Sequence, residues 1–370
     1  MATARWGEGT DQSAEIGTGR ADPAIYRDPE RLRAERERMF RRTWLVADRV
    51  EAIPSPGDFL VWERVGQSVV IARQSDGSLA AFHNVCRHRG ARIVAESGHC
   101  ASGQLSCPFH GFTYDLTGDL VGVPERERFD PKHLEGLRAA PVAVAEWGGW
   151  VWIHLDPPQA PPLVDYLGGL VDELGWYGME DWKYYGGNTY LAQANWKVVL
   201  EGFLEAWHTP TAHRKTLKGG FDYGRTSFSL LDAHSMMVVP LTALDIDSAP
   251  KPVEHRAYAD CQYLLFPNAF LNMFPDQGNL ITVFPIDENR SIAQGFVVAR
   301  KNPPKGVSRE KWEQSVESGL GLMDRIMGED IAIAEEIGAA QQSFGYTGNV
   351  YNDLECRITA FHKEIEKYLA

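Results

Sequence analysis

The segments Asn84-Val-Cys86-Arg-His88-Arg-Gly90 and Cys107-Pro-Phe-His110-Gly111-Phe-Thr-Tyr114 each combine one cysteine with one histidine. Eighteen residues separate His88 from Cys107. A glycine follows each Cys/His pair, and glycine permits tight turns in which the backbone comes close to a bound group. The pattern therefore predicts two tight loops that present two thiols and two imidazoles to a common point.

Two cysteines and two histidines are the ligands that a Rieske [2Fe–2S] cluster requires, with the thiolates on one iron and the imidazoles on the other. Neutral imidazole replaces two negative ligands and raises the reduction potential, so such a cluster can pass electrons to oxygen chemistry. The alternative is a structural zinc site, which also accepts two cysteines and two histidines. Zinc sites usually pair like ligands within one segment, whereas each segment here mixes them.

The composition excludes some classes of function. The net charge of −13 disfavours nucleic acid or an anionic membrane surface as the main partner. We find no apolar run long enough to span a bilayer and no apolar core of a secretory signal in the first 20 residues. The three remaining cysteines (Cys100, Cys261 and Cys356) form no disulfide framework, so we expect a reducing, cytoplasmic setting.

Composition along the chain predicts four parts. Residues 1–22 are expected to be a flexible N-terminus, and residues 23–43 to hold a charged helix that packs on the catalytic domain. Residues 44–156 contain short apolar runs between Gly, Pro, Asp and Ser, as in a small all-β domain that carries both Cys/His segments. A Pro-rich linker begins the last part, residues 157–370, in which helices and strands mix.

A second group of candidate ligands lies in residues 195–213. Residues 195–208 predict a buried helix with Asn195 as its N-cap, because the stretch is apolar almost all round. Glu201, Glu205 and His208 would share one face of this helix. Buried carboxylates need partners, so we expect a metal or a proton-relay role there. His213 follows Pro210, which should distort the helix and aim two imidazoles at one point; two ordinary polar histidines are the alternative.

A third ligand is needed for a facial triad of two histidines and one carboxylate, the open site of non-haem Fe(II) oxygenases. The predicted helix over residues 308–342 offers Asp330, an acid within an apolar stripe of 3–4 spacing. In the alternative interpretation, Asp330 faces solvent and Glu329 or Asp324 faces inward.

These motifs together resemble the catalytic α subunit of the Rieske non-haem iron ring-hydroxylating oxygenases. The resemblance covers nearly everything after residue 25 and includes Asn195-Trp-Lys, Glu205-x-x-His208-x4-His213 and Glu329-Asp330. It implies an α+β fold with a small all-β Rieske [2Fe–2S] domain and a helix-grip catalytic domain, in which a curved antiparallel sheet surrounds a long helix. It also implies the roles of particular residues. The cluster ligands would be Cys86, His88, Cys107 and His110, and the ligands of the mononuclear iron would be His208, His213 and Asp330. Glu205 and Asn195 would be catalytic residues.

The family usually has Asp where this chain has Glu205. In having Glu at this position, the chain resembles the short, α-only branch that includes carnitine and glycine betaine monooxygenases. The resemblance implies a homotrimer in which one subunit's cluster lies beside its neighbour's Fe(II). Glu205 would link the two centres through hydrogen bonds to His110 or His88 and to His208. Because no dinucleotide or flavin motif is present, NAD(P)H electrons are expected to come through a separate reductase, with or without a ferredoxin.

The expected reaction uses O2 to hydroxylate a small organic substrate, for which an aromatic compound is the first expectation. The reaction would be a monohydroxylation, a dihydroxylation or a demethylation. Its aromatic pocket could equally hold a quaternary ammonium compound by cation–π contact. A non-catalytic electron carrier fused to a ligand-binding module is the alternative of another class. The predicted pocket residues are Phe203, Leu204, Trp207, Phe270, Asn272 and Phe284.

Overall fold

A computed structural model describes residues 11–244, 248 and 254–370. The chain forms two compact units. The first comprises the N-terminal residues through Met39 together with Val164–Ala370, and the second comprises Phe40–Leu163. The sequence places the limits of the small domain at residues 44 and 156, a few residues inside the limits of the second unit.

The N-terminal segment of the first unit contains short elements. These are α1 (Ser13–Ile16), β1 (Gly19–Ala21), α2 (Ala24–Arg27) and α3 (Pro29–Ala34). The sequence predicts a flexible stretch over residues 1–22, of which residues 1–10 lie outside the described residues. Within residues 11–22, β1 instead pairs with Asn349–Tyr351 and the Gln12 N–H donates to the Phe228 carbonyl at 2.8 Å.

The predicted helix of residues 23–43 is divided into shorter pieces. Asp28 ends one helix and caps the next, because its side chain accepts from the Glu30 N–H and Pro29 suits the first helical turn. A π-helical turn (Glu35–Met39) and a 3-10 turn (Phe40–Arg42) follow. The buried Glu35 carboxylate accepts from Lys197 Nζ at 2.7 Å, so an ion pair joins this segment to the rest of the first unit.

The second unit, all of whose residues are described, is built of strands. They are β2 (Leu45–Arg49), β3 (Asp58–Arg64), β4 (Gln67–Arg73), β5 (Leu79–His83), β6 (Gly98–His99), β7 (Gln104–Ser106), β8 (Thr113–Asp115), β9 (Leu120–Gly122), β10 (Pro141–Trp147) and β11 (Trp150–His154). Seven form an antiparallel sheet in the order β2-β11-β10-β5-β4-β3-β6, and β7-β8-β9 form a small second sheet. The first Cys/His segment follows β5, and the second joins β7 to β8.

The first unit contains an antiparallel sheet and several helices. Its further elements are α4 (Leu163–Leu167, which begins at the last residue of the second unit), α5 (Leu170–Gly175), β12 (Trp182–Gly186), β13 (Thr189–Ala192), α6 (Trp196–Glu201), α7 (Thr209–Ala212), β14 (Ser227–Leu231), β15 (His234–Pro240), β16 (Ala259–Leu265), β17 (Ala269–Met273), β18 (Gln277–Asp287), β19 (Arg290–Arg300), α8 (Arg309–Ala340), β20 (Asn349–Tyr351) and α9 (Cys356–Leu369). Among the described residues the sheet has eight strands, with the path β12-β19-β18-β17-β16-β15-β14 and β13 also paired to β19.

The long helix α8 packs against β12, β13 and β19. Ser308 caps its N-terminus by accepting from the Lys311 N–H, and its apolar stripe (Val316, Met323, Met327, Ala334) is buried. None of the helices in the described part of the chain combines the length and apolar character of a membrane span. The predicted α+β class, with a small all-β domain and a sheet that packs on a long helix, is confirmed.

Candidate metal centres and substrate pocket

The two Cys/His segments fold into loops of the same design. The Gly90 N–H donates to the Cys86 carbonyl at 2.9 Å, and the Gly111 N–H donates to the Cys107 carbonyl at 3.0 Å. Both glycines have positive φ angles, 77° and 72°, and a residue with a side chain would be strained in this conformation. Each cysteine is buried in its turn, whereas His88 is half-buried and His110 is exposed.

The side chains of the two loops converge. The rings of His88 and His110 have centroids 4.5 Å apart, and His88 also stacks on Phe112 at 4.8 Å. The Tyr114 hydroxyl donates to Cys86 Sγ at 3.4 Å. His88 Nδ1 is buried and has no hydrogen-bond partner among the described residues. A buried ring nitrogen without a partner is costly, so this donor set fits a metal ligand at that atom.

His208 and His213 flank the one-turn helix α7. His208 is its N-cap and His213 its C-cap, so a single turn separates them, and Pro210 lies in the first turn, where proline is tolerated. The prediction of one helix over residues 195–208 is wrong: α6 ends at Glu201 and irregular turns follow. These turns, rather than a regular helical face, aim both imidazoles at the middle of α8.

Asp330 of α8 completes the group. His213 Nε2 lies 2.9 Å from Asp330 Oδ1, His208 Nε2 lies 3.8 Å from it, and the two Nε2 atoms are 3.2 Å apart. One ligand atom from each residue lies within 4.8 Å of the others. Two imidazoles and one carboxylate at these separations fit a mononuclear Fe(II) site with open positions.

Each histidine of this group binds a carboxylate through its other ring nitrogen. Glu205 bonds His208 Nδ1 and accepts from the His208 N–H at 3.0 Å, and Glu329 bonds His213 Nδ1 at 2.6 Å. Burial favours neutral imidazole, but the Asp330 and Glu329 carboxylates outweigh it and raise the pKa of His213 to about 9. The charge distribution therefore favours a cation at this point. Carboxylate partners of this kind orient metal-binding imidazoles.

Glu201 and Asn195 have other partners. The Glu201 carboxylate accepts from the Tyr26 hydroxyl at 2.9 Å and lies 2.9 Å from His362 Nε2, in a buried network. It is directed away from the site, because the helical face that would join it to Glu205 ends at Glu201. Asn195, predicted as catalytic, caps α6 through the Lys197 N–H and donates to the Tyr26 carbonyl. Its side chain does not line the cavity described below.

A cavity of about 190 Å³ adjoins the three ligand residues, and that is room for a small organic molecule. α8 forms one wall and β16, β17 and β18 form another. Among the predicted pocket residues, Phe203, Phe270 and Asn272 line the cavity. Leu204 and Phe284 are core residues instead, and Trp207 is 58% exposed. Leu204, Trp207 and Phe284 thus do not line the cavity, because the predicted helix that would have placed the first two ends at Glu201 and Phe284 lies farther along β18.

Several polar residues of the site have no counterpart in the predictions, among them Thr216, Asp260 and Gln262. Thr216 donates to Glu329 at 2.6 Å, and Asp260 and Gln262 lie on the cavity wall. The signal for the last two was the alternation Asp260-Cys-Gln262-Tyr in an apolar strand. That pattern alone predicts a solvent-facing side, because period 2 does not distinguish solvent from a cavity.

Comparisons with known proteins match both units. The description "Rieske [2Fe-2S] domain" matches residues 43–143, and "Ring hydroxylating alpha subunit (catalytic domain)" matches residues 179–370. The glycine betaine monooxygenase oxygenase subunit of Chromohalobacter salexigens is 35% identical over 205 residues, which are 55% of this chain and 45% of that protein. The chain thus spans less than half the length of this relative.

A further relative is the large oxygenase component of the 2,4-dinitrotoluene dioxygenase system of a Burkholderia species, 30% identical over 338 residues, 77% of this chain and 72% of that protein. The crystal structure of the apo form of a quaternary ammonium Rieske monooxygenase, CntA, has a TM-score of 0.78 at 20% identity and covers 97% of this chain and 98% of its own; this likeness concerns the fold. The predicted family is confirmed: the chain belongs to the ring-hydroxylating oxygenase α subunits that carry a Rieske [2Fe–2S] domain.

Proposed function

We propose that the chain is the oxygenase component of a Rieske system, which uses O2 and electrons from a separate reductase to hydroxylate a small organic substrate. One observation carries this proposal: His208, His213 and Asp330 converge on one point at the wall of a cavity. In an electron carrier fused to a binding module, this buried group of ligands would have no function.

The proposed ligands divide between the two units. Cys86, His88, Cys107 and His110 would hold the [2Fe–2S] cluster, and His208, His213 and Asp330 would hold a mononuclear Fe(II). When bound, the cluster supplies electrons and the iron activates O2. The chain itself holds the ligands, the substrate and the protons in place.

The carboxylates behind the histidines set the proton positions. Glu205 and Glu329 each bond an Nδ1 atom, so it is the Nε2 lone pairs that would face the metal. Asp330 reaches the same point from α8 at 2.9 Å from His213 Nε2. This arrangement leaves one side of the group directed to the cavity, where the apolar walls would exclude bulk water from the substrate.

The substrate class follows from the cavity and from the relatives together. The stacked rings of Phe203 and Phe270, with centroids 5.1 Å apart, suit either an aromatic ring or an organic cation. The relatives named above act, by their names, on glycine betaine and on 2,4-dinitrotoluene. We propose a small molecule of one of these two classes.

A homotrimer in the cytoplasm, with a ferredoxin or reductase as electron donor, completes the proposal. Glu205 would link one subunit's cluster to its neighbour's iron. Exposed aromatic side chains lie beside the residues that this transfer would join: Trp207 (58% exposed) follows Glu205 by two positions, and Phe109 (55% exposed) precedes His110. Exposed aromatic residues of this kind are common at protein interfaces.

Metal analysis and oxygen consumption test the proposal. We expect about three irons and two inorganic sulfides per chain, a Rieske absorption spectrum, and O2 uptake that depends on substrate when a generic reductase is supplied. About two irons would indicate the electron carrier, and zinc without sulfide would indicate the structural site. Either of these results, or the absence of O2 uptake with both aromatic and trimethylammonium panels, would overturn the proposal.

A further inference from the structure

The Asp260 carboxylate lies on the sheet wall of the cavity and is not one of the three candidate metal ligands. It lies on β16 with 4% of its surface exposed, and Gln262, Asn272 and Asn279 line the cavity with it. Gln262 pairs with Asn272, and Asn272 pairs with Asn279, in adjacent strands. The four side chains therefore form one polar patch across β16, β17 and β18 in an otherwise largely apolar cavity.

The hydrogen bonds of this patch all run toward the carboxylate. Asn279 Nδ2 donates to Asn272 Oδ1 at 3.1 Å, and Asn272 Nδ2 donates in turn to Asp260 Oδ1. Gln262 Nε2 donates to Asp260 Oδ2 at 2.8 Å. Both carboxylate oxygens thus accept amide N–H groups, which stabilise the ionised form.

The charge of Asp260 has no compensating cation in the described part of the chain, where no Lys, Arg or His forms an ion pair with it. Burial raises the pKa of Asp260 to about 7, although its two amide donors oppose the shift. A buried carboxylate that keeps much of its charge at neutral pH is costly unless a positive partner joins it. The cavity wall therefore offers a negative charge to a positively charged ligand.

Aromatic rings line the same cavity as this carboxylate. Phe203 and Phe270 stack in the cavity wall, and Tyr223 lines it as well. Tyr223 is near enough for the Asp260 charge to add to burial in raising the pKa of Tyr223 to about 12. Ring faces and a carboxylate both attract cations, whereas a neutral hydrocarbon would gain nothing from the carboxylate.

We propose that Asp260 is a substrate-binding residue that pairs with a positively charged nitrogen, so that the cavity selects ammonium compounds over neutral molecules of the same shape. This inference rests on the proposed function, since it takes the cavity beside His208, His213 and Asp330 as the place of oxidation. The cation can be a quaternary ammonium or a protonated amine, because the carboxylate attracts both and can accept a hydrogen bond only from the second.

The test compares molecules that differ only in charge. Choline and its neutral carbon isostere, 3,3-dimethylbutan-1-ol, have the same shape, and 2-(dimethylamino)ethanol adds a protonated amine. Binding of each is measured by calorimetry under argon, with protein that holds both iron centres. We expect choline or the amine to bind at least about tenfold more tightly than the isostere, as a charged partner in a buried site implies.

Asp260→Asn removes the charge at constant size, and Asp287→Asn, at the end of β18 where Asp287 pairs with Arg290, is the matched control. We expect Asp260→Asn to lose the preference for the cations and Asp287→Asn to keep it. If Asp260→Asn does not fold, the comparison of choline with its isostere on the unsubstituted protein carries the test alone.

The outcomes separate the two proposals. Suppose that the protein holds its cluster and iron. If it then shows no preference for either cation, or binds none of the three probes, the role of Asp260 is overturned and the proposed function stands. A preference that survives in Asp260→Asn overturns the role of Asp260 as well. Protein that lacks the cluster and the mononuclear iron contradicts the proposed function itself. Preference for the amine alone, or for choline as well, identifies which kind of cation the cavity takes.

Discussion

The Cys/His loops and the group of His208, His213 and Asp330 are both candidate iron sites, but they are built in opposite ways. The four candidate cluster ligands lie within residues 86–110, on two loops with the same backbone turn. The other group joins residues from α7 to a carboxylate on α8, more than a hundred positions later. The first site is mainly local in sequence, and the second exists only when the sheet and α8 are packed.

The difference also appears in how the histidines are supported. His88 has a buried Nδ1 without a hydrogen-bond partner among the described residues, and it packs on Phe112 and Phe129, so its surroundings come from nearby residues of the second unit. His208 and His213 depend on Glu205 and Glu329, and Glu329 belongs to a different helix. Substitutions should therefore affect each site separately.

The largest effect is expected for Cys107→Ser, which removes a thiolate from the proposed cluster. The variant should lose the Rieske spectrum and all steady-state oxygenation, while its mononuclear site still binds about one Fe(II) per chain. Visible absorption and iron titration measure the two sites. Cys100→Ser is the control, because Cys100 lies between the loops and its thiol bonds Ser102 and the Gln104 carbonyl. Loss of the cluster in the control would contradict the assigned ligands.

Asp330→Asn tests the other site in the same way. We expect activity to fall more than about 100-fold and iron to drop by about one per chain, because a ligand is lost rather than a supporting group. The Rieske spectrum should not change. Asp324→Asn on the same helix, where Asp324 bonds Asn188 outside the site, should keep both iron centres. Full iron content in Asp330→Asn would show that another carboxylate is the ligand.

Glu205→Gln should leave both iron centres bound and slow electron transfer between them by about 10- to 100-fold, if Glu205 links them through His208. Single-turnover oxidation with a pre-reduced cluster measures this step directly. A rate equal to that of the unsubstituted protein would refute the linking role.

Glu329→Gln should weaken Fe(II) binding by about tenfold, since the partner of His213 Nδ1 loses its charge and no longer favours the cationic site. Titration of the iron-depleted protein gives the Kd, and the electron paramagnetic resonance of the nitrosyl complex reports the iron's surroundings. Glu336→Gln, at an exposed position of the same helix, is the control. An unchanged Kd and spectrum in Glu329→Gln would show that Glu329 does not position His213.

The smallest effect on the sites is expected for Asn195→Ala. Loss of an N-cap costs about 1–2 kcal/mol of folding stability, and Asn195 also donates to the Tyr26 carbonyl. The midpoint of urea unfolding should fall, while iron content and oxygenation by the folded protein stay the same. A fall in activity without a fall in stability would restore the catalytic role that the sequence predicts for Asn195.

Short sequence motifs predicted most of the features that depend on residues close together in the chain. The two Cys/His segments predicted paired loops, because ligands and turn glycines lie within a few residues of one another. Asp330 could be named from its place in an apolar stripe, because helical periodicity persists through a helix of 32 residues. The helix over residues 195–208 was wrong, because its apolar composition does not show that regular hydrogen bonding ends at Glu201. Leu204 and Trp207 were misplaced for the same reason.

The sequence by itself determined the candidate ligands, through spacing within short segments, and the family and the α+β class, through the resemblance that these motifs carry. Only the tertiary structure decided which acids reach the candidate iron site or its cavity. Asp260 and Glu329 occupy their places because separate strands and helices pack together, whereas Glu201 turns to Tyr26 and His362. A carboxylate looks the same in the sequence whether it faces solvent, a metal site or a substrate, and only packing sets which of these it meets.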